Sequence, residues 1–264
     1  MNAKSDIKSL DLHKDLEKIL KGAGEIVRSY WGKQLERQQK RDGFLTEADL
    51  ASEAYLIEKL TALVPADIWA EESGQSGSNN NGYRWVIDPL DGTTNFAYGL
   101  PYYCISVALT EHDSPVHAAI YNPLQDDFFY ARRGFGAWCN SNKITVSSPD
   151  SLSQAVVGLG FSYARDERSS LLLPAQKIVT TVQAVRNMGA IALDLAHLAA
   201  GRLDGVFFSH LSWWDVAAGM LLVQEAGGKT ADFQGNQVTP AYQNCVAGGE
   251  LVYDHLRAIL SNKQ

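Results

Sequence analysis

The residues with the clearest capacity for chemistry lie in one stretch, Trp85-Val86-Ile87-Asp88-Pro89-Leu90-Asp91-Gly92-Thr93-Thr94-Asn95-Phe96. Trp85, Val86 and Ile87 form a short apolar run of high β-propensity, the pattern of a buried strand. Pro89 cannot donate to a β-ladder, so the strand is expected to stop at Asp88. Gly92 permits a sharp turn and lets its own N–H approach a ligand closely. Thr93 and Thr94 are candidate helix caps. Asp88 and Asp91 then stand at a strand end where the chain turns. Two carboxylates beside free N–H groups suit a divalent cation and a phosphate. Mg²⁺ takes one or two carboxylates and completes its shell with water and substrate oxygens, while the N–H groups favour the anion. An Asp-Pro turn followed by an Asp-Gly turn has the same composition and needs no ligand. These residues alone leave both readings open.

Three further acids have the same double reading. Asp49 follows Thr46 by three residues and precedes the helical run Leu50, Ala54, Ile57, Leu60, Val64. It either closes a capping box with Thr46 or faces a site from a helix start. Glu71 and Glu72 end a short strand, Ile68-Trp69-Ala70. If that strand neighbours the one ending at Asp88, one of the pair reaches Asp88 and the other points to the opposite face. Asp215 follows Trp213 and Trp214 at the start of a strongly apolar helix. It reads as a first-turn acid favoured by the helix dipole, in surroundings where an acid without a cation is costly. The six His residues are scattered, and no HExxH or GxSxG grouping occurs, which argues against nucleophilic hydrolase chemistry.

The elements that must position these acids follow from periodicity. A first amphipathic helix spans about residues 10–31, carrying Leu16, Ile19, Leu20, Ala23, Val27 and Tyr30 on one face. The Lys33–Arg41 cluster is diluted by Glu36 and Gln residues and reads as a solvated helix end. Ser73–Gly82 reads as a flexible Gly/Ser/Asn loop. After the central stretch come strand-like segments at Cys104–Thr110, Val116–Tyr121, Phe128–Ala131 and Ile144–Val146, with a glycine turn at Arg133–Ala137 read as a hairpin. Beyond about residue 150 strands and helices alternate: Ala155–Phe161, Ser169–Thr181, Ala184–Asn187, the helix carrying Ile191, Leu195 and Leu198, Leu203–Phe208, Trp214–Ala226, Val246-Ala247 and Leu251–Leu260. Together these predict an α+β chain with an antiparallel-sheet N-terminal half, 1–148, and an α/β C-terminal half, 149–264, divided at the Ser-rich 147–153 stretch.

Composition narrows the classes. The chain has 264 residues, 45% of them hydrophobic, which is ample for a large core. A formal net charge of -7 disfavours broad nucleic-acid binding, so no direct nucleic-acid partner is expected. Cys104, Cys139 and Cys245 are far apart and odd in number, as free buried thiols would be. Met1–Leu10 holds no apolar signal core, and no run reaches the roughly 18 apolar residues of a membrane span. A cytoplasmic location and no membrane association are expected.

Taken together, the motifs resemble the inositol monophosphatase family of lithium-sensitive, Mg²⁺-dependent phosphatases. Asp88-Pro89-Leu90-Asp91-Gly92-Thr93-Thr94-Asn95-Phe96 resembles its first signature. Trp214-Asp215-Val216-Ala217-Ala218-Gly219 with Glu225-Ala226-Gly227-Gly228 resembles its second. Ala70-Glu71-Glu72-Ser73 and Leu45-Thr46-Glu47-Ala48-Asp49 match its metal-binding Glu segment and its Thr-x-x-Asp, and Gly189-Ala190 through Gly205 resembles bacterial members. The resemblance implies a layered αβαβα sandwich that hydrolyses a small phosphate monoester. It implies two or three Mg²⁺ ions held by Glu71, Asp88, the Leu90 carbonyl, Asp91 and Asp215. It assigns catalysis to Thr93, Asp49 and Glu71, the phosphate to Gly92 and Thr93, and the alcohol part to Asp91, Gly189, Ala190 and Asp215. It also implies a homodimer, inhibition by Li⁺ and, for some bacterial relatives, binding to transcription machinery in antitermination. One departure bears on substrate. Many inositol-selective relatives carry a Glu just before the second signature, whereas Phe207-Phe208-Ser209-His210-Leu211-Ser212-Trp213 holds no acid. Fructose 1,6-bisphosphate, 3′-phosphoadenosine nucleotides and histidinol phosphate are alternative substrates on that ground.

Overall fold

The computed structural model describes residues 7, 10–33, 36–40, 43–78, 82–161, 171–241 and 243–261. In chain order the helices are α1 (His13–Tyr30), α2 (Glu47–Leu63), α3 (Thr93–Ala97), α4 (Leu172–Val179), α5 (Ile191–Ala199), α6 (Trp213–Glu225) and α7 (Glu250–Leu260). The strands are β1 (Gln38–Lys40), β2 (Gly43–Leu45), β3 (Asp67–Ala70), β4 (Gly74–Ser76), β5 (Tyr83–Asp91), β6 (Cys104–Glu111), β7 (Ser114–Asn122), β8 (Asp127–Arg132), β9 (Gly136–Cys139), β10 (Asn142–Ile144), β11 (Val156–Gly160), β12 (Ala184–Arg186), β13 (Gly205–Ser209), β14 (Lys229–Ala231) and β15 (Asn244–Gly248).

Two large sheets carry the architecture. The first runs β10-β9-β8-β7-β6-β5-β3-β4, antiparallel except for the parallel pair β3–β5. The second runs β12-β11-β13-β15-β14, with β12, β11 and β13 parallel and β15 antiparallel to both its neighbours. Helices α1 and α2 cover the outer face of the first sheet, α5 and α6 lie between the sheets, and α4 and α7 cover the outer face of the second. The order is α, β, α, β, α.

Each layer follows from side-chain alternation. On β5, Trp85 and Ile87 enter the core beneath α1 and α2, while Val86 enters the core around α5 and α6. On β6, Ile105, Val107 and Leu109 take the first side, and Cys104 and Ala108 the second. Both faces of the central strands are buried, which explains why they read as continuous apolar runs. Helix α6 has a sheet on either side, so it is apolar nearly all round rather than along one stripe. Among the described residues no helix is long and apolar enough to cross a membrane. The three cysteines are free and buried.

Four local expectations are corrected. The end of the Lys33–Arg41 cluster is strand, not helix end: Gln38–Lys40 forms β1, paired with β2. Part of the Ser73–Gly82 loop is β4, hydrogen-bonded to β3, while 79–81 lie outside the described residues. Strand β5 does not stop at Asp88. It continues through Pro89 to Asp91, and the register with β6 shifts between Asp88 and Asp91. An irregularity of that kind accommodates a residue without an N–H. Strand β14 was not foreseen, and it gives β15 its second neighbour.

Candidate active site

The parallel pairing of β3 with β5 sets Ala70 opposite Ile87, and the Glu71 N–H donates to the Ile87 carbonyl at 3.1 Å. Glu71 therefore follows the end of β3 beside Asp88. Asp88 is almost fully buried, and the Leu90 N–H donates to its Oδ1 at 3.0 Å. Burial, and then the carboxylates of Glu71, Asp91 and Asp215, push its pKa well above the usual carboxylate range, against the pull of the Leu90 N–H. The acids of β3, β5 and α6 thus share one electrostatic neighbourhood.

Asp91 is held from the far half of the chain. The N–H groups of Ile191, Ala192 and Leu193, the first turn of α5, donate to its carboxylate at 3.2, 2.7 and 3.4 Å. Burial raises its pKa to about 6, and these three N–H groups oppose the rise. A carboxylate at a helix N-terminus is favoured by the dipole as well as by the orphan donors. Asp215 closes a capping box on α6, with the Ser212 N–H donating to its Oδ2 at 2.7 Å.

Asp49 is fully buried at the start of α2. Its Oδ2 accepts from the Thr46 N–H at 2.8 Å and the Thr46 hydroxyl at 2.6 Å, so the capping box exists. Its Oδ1 accepts from the Thr93 hydroxyl at 2.9 Å. The same hydroxyl lies 2.9 Å from the Leu90 carbonyl. Thr93 is not a cap. Gly92 takes that position with φ of 92°, and Thr93 is the first residue of α3. A Cβ on Gly92 would stand 3.0 Å from the Tyr102 carbonyl and 3.2 Å from the Ala190 Cβ. The turn therefore packs against the residues that precede α5, which include Gly189 at φ of 82°. Asn95 fixes this contact, donating to the carbonyls of Tyr102 at 2.8 Å and Met188 at 2.7 Å.

The structure thus brings Glu71, Asp91 and Asp215 each within electrostatic range of Asp88. It joins Asp49 to them through Thr93, and it sets Gly92, Gly189 and Ala190 along one seam. Among the described residues no three His, Cys, Asp or Glu side chains stand close enough together to hold a metal ion. The donor set is nonetheless all oxygen, carboxylates with the Leu90 carbonyl close by. That is the chemistry of a hard cation such as Mg²⁺ rather than of zinc or copper. Repulsion around Asp88 is what a cation would relieve.

The Inositol monophosphatase family model matches residues 11–263. The chain belongs to this family. A relative named inositol-1-monophosphatase, from Rhizobium meliloti (strain 1021), is 36% identical over 219 residues, covering 82% of this chain and 82% of its own. A relative named Nus factor SuhB, from Escherichia coli (strain K12), is 37% identical over 227 residues, covering 85% of this chain and 84% of its own. Among solved structures, the extragenic suppressor protein suhB of Bartonella henselae superposes with a TM-score of 0.90 at 31% identity, over 95% of this chain and 98% of that one. The inositol monophosphatase of Anabaena (Nostoc) sp. PCC 7120 gives 0.83 at 35% identity, over 94% and 96%. Family membership accounts for the layered fold as well as for the motifs.

Sequence reasoning missed several residues of this family member's site. Glu53 is buried and accepts from the N–H groups of Glu72 and Ser73, both at 2.9 Å. Ser52 donates to the Pro89 carbonyl at 2.9 Å. A signal was present: Asp49, Ser52 and Glu53 stand at i, i+3 and i+4, one polar stripe on a helix whose other buried residues include Leu56 and Leu60. Asp194 and Tyr102, hydrogen-bonded at 2.6 Å behind Asp91, carried no such signal.

Proposed function

We propose that this chain is a Mg²⁺-dependent phosphomonoesterase acting on a small polyol phosphate of the inositol monophosphate type. The observation that carries the reading is the burial of Asp88 among Glu71, Asp91 and Asp215, beside the Asp49–Thr93 pair. Relatives named inositol-1-monophosphatase support the substrate class. Glu71, Asp88 and the Leu90 carbonyl would hold one Mg²⁺, and Asp88, Asp91 and Asp215 a second. A third, weaker ion would share Glu71. When bound, the ions supply a water of lowered pKa, charge neutralisation on the phosphoryl oxygens and stabilisation of the leaving alkoxide.

The protein's own groups do the rest. The Thr93 hydroxyl gives its proton to Asp49 Oδ1, which turns the lone pairs of Oγ1 outward to accept a proton from the attacking water. The buried Asp49, locked by Thr46, keeps that hydroxyl in one orientation. The N–H groups of Gly92 and Thr93 open α3 and hold phosphate oxygens, as helix starts do. Gly189 and Ala190, with Asp91 and Asp215, face the alcohol part. No covalent nucleophile is required. Phosphate release from a panel of monoesters, with and without Mg²⁺, tests the reading; release that is indifferent to EDTA overturns it.

A second reading rests on the relatives named Nus factor SuhB. The chain would then also dock on transcription machinery. The acids of the site are all retained, so the two roles are compatible. A pull-down with RNA polymerase and its elongation factors checks the second, and sedimentation checks the homodimer that the resemblance implies.

A further inference from the structure

Helix α2 touches the site at three places with three consecutive-face residues. Asp49 holds Thr93, Ser52 donates to the Pro89 carbonyl between Asp88 and Leu90, and Glu53 accepts from the backbone just after Glu71. The first contact belongs to the chemistry proposed above. The third has no part in it, yet Glu53 is buried and charged, and burying a carboxylate is costly unless its oxygens are satisfied. Its two oxygens are used separately: Oε2 accepts from the Glu72 N–H and Oε1 from the Ser73 N–H, both at 2.9 Å.

We infer that Glu53 is a positioning residue that sets the direction of the Glu71 carboxylate through the backbone. This rests on the phosphatase reading. The peptide plane joining Glu71 to Glu72 is rigid, so holding the Glu72 N–H fixes ψ of Glu71. On the other side, the Glu71 N–H is held by the Ile87 carbonyl at 3.1 Å, which fixes the preceding plane and with it φ. With both planes pinned, the Cα–Cβ bond of Glu71 has one direction, and its carboxylate bears on Asp88. Without Glu53, the N–H groups of Glu72 and Ser73 lose their shared acceptor at once. Charge-assisted bonds to backbone N–H are the strong kind, which suits an element that must hold a carboxylate against the repulsion of Asp88. Groups that orient metal ligands in this way typically change metal affinity by about 10- to 100-fold when removed.

The experiment uses the full chain and titrates Mg²⁺ calorimetrically into the wild type, Glu53→Gln and Glu53→Asp, each stripped with EDTA and checked for folding by circular dichroism. Gln keeps the length and loses one acceptor, setting an NH₂ against an N–H. Asp keeps the charge and loses the reach. Both variants should raise the Mg²⁺ Kd at least about tenfold, with a matching rise in the Mg²⁺ needed for half-maximal phosphate release. KM for substrate at saturating Mg²⁺ should stay near wild type. A merely structural Glu53 would lower the Tm in EDTA and leave the Kd untouched, and a folded variant with wild-type Kd overturns the inference. If Glu53→Gln does not fold, Glu53→Asp decides alone. A wild type that binds no Mg²⁺ takes down the phosphatase reading itself, an outcome distinct from a variant that matches a Mg²⁺-binding wild type.

Discussion

Replacing Asp194 by Asn should stabilise the protein at neutral pH and not at acid pH. Asp194 lies in the first turn of α5, about 1% exposed, and accepts from the Tyr102 hydroxyl at 2.6 Å. Burial raises its pKa most, Asp91 adds to the rise, and Tyr102 opposes it; the result is about 8, against 3.8 for an ordinary Asp. A carboxyl raised in this way binds its proton more tightly in the folded chain than in the unfolded one. Its contribution is complete below the unfolded pKa and is lost as pH climbs toward the folded value. Each pH step in that window removes up to about 1.4 kcal/mol, so the loss approaches roughly 4 kcal/mol at neutral pH. Asp194→Asn retains an acceptor for Tyr102 and titrates nowhere. It leaves an NH₂ to satisfy, a cost of about 1–3 kcal/mol that does not vary with pH. The His197 ring, 3.2 Å from the Tyr102 hydroxyl through Nδ1, is driven by burial down to about 4 and stays neutral through most of the window. Urea unfolding of both proteins in EDTA, from acid to mildly alkaline pH, gives the difference directly, with other titrating groups cancelling. The variant should be equal or weaker at the acid end and stronger by a few kcal/mol at the alkaline end. A difference that stays flat across the range refutes the reasoning.

Asp88→Asn is nearly isosteric and removes the carboxylate that Glu71, Asp91 and Asp215 repel; it should raise the Tm of the EDTA-treated protein while phosphate release falls at least ~100-fold, and near-wild-type turnover overturns the assignment. Thr93→Val deletes the hydroxyl shared by Asp49 and the Leu90 carbonyl; steady-state kinetics should show kcat down by about 10²–10⁴-fold with KM little changed, and an effect on KM alone speaks against a role in proton handling. Millimolar Li⁺ should inhibit uncompetitively with respect to substrate, and an assay indifferent to Li⁺ contradicts the metal reading of Asp88-Pro89-Leu90-Asp91-Gly92-Thr93. The segment before α6 offers Ser209, whose hydroxyl pairs with His210 at 3.1 Å, where the family resemblance leads one to expect an acid. Without that acid most of the binding energy should come from phosphate and metal, so the kcat/KM preference for myo-inositol 1-phosphate over glycerol 2-phosphate should stay under about 30-fold. A ratio in the thousands refutes this.

Much of this fold was legible because its long elements carry strong periodicity. Helices α1, α2, α5 and α6 and strands β3 and β5 are where the 3.6- and 2-residue patterns placed them, within the usual play at the ends. The strands missed, β1, β2, β4, β9 and β14, are three or four residues long. Gln38–Lys40, Gly74–Ser76 and Lys229–Ala231 hold too few residues for any period to show, and only pairing with a partner makes them strands. Pro89 misled for a related reason. Its missing N–H forbids a regular ladder, but a register shift beside β6 lets the strand pass through it. Contacts that cross the chain were beyond reach of any local pattern. The bonds from α5 to Asp91 and from Asn95 to Met188 join residues roughly a hundred positions apart, and nothing near Asp91 or Asn95 announces them.

The sequence posed a choice at each acid between cap and ligand, and the geometry dissolves it. Asp49 gives Oδ2 to Thr46 and Oδ1 to Thr93. Asp215 gives Oδ2 to the Ser212 N–H while its charge still bears on Asp88. Asp91 anchors the first turn of α5 and still repels Asp88. An ionised carboxylate offers about four lone-pair positions, so a helix cap occupies only part of it. The cap fixes the orientation of the side chain, and the remaining positions can meet a cation or a proton donor at a defined place. Capping also explains how several acids can be crowded together in a chain that must fold before any ion arrives. Backbone N–H groups stabilise the Asp91 and Asp215 charges at helix starts, while Asp88, for which the Leu90 N–H is the one backbone donor among the described residues, is pushed well above the usual carboxylate range. If Mg²⁺ is the cofactor, Asp88 is where its binding should be felt most in stability, which is the opposite ranking to one based on how many hydrogen bonds each acid makes.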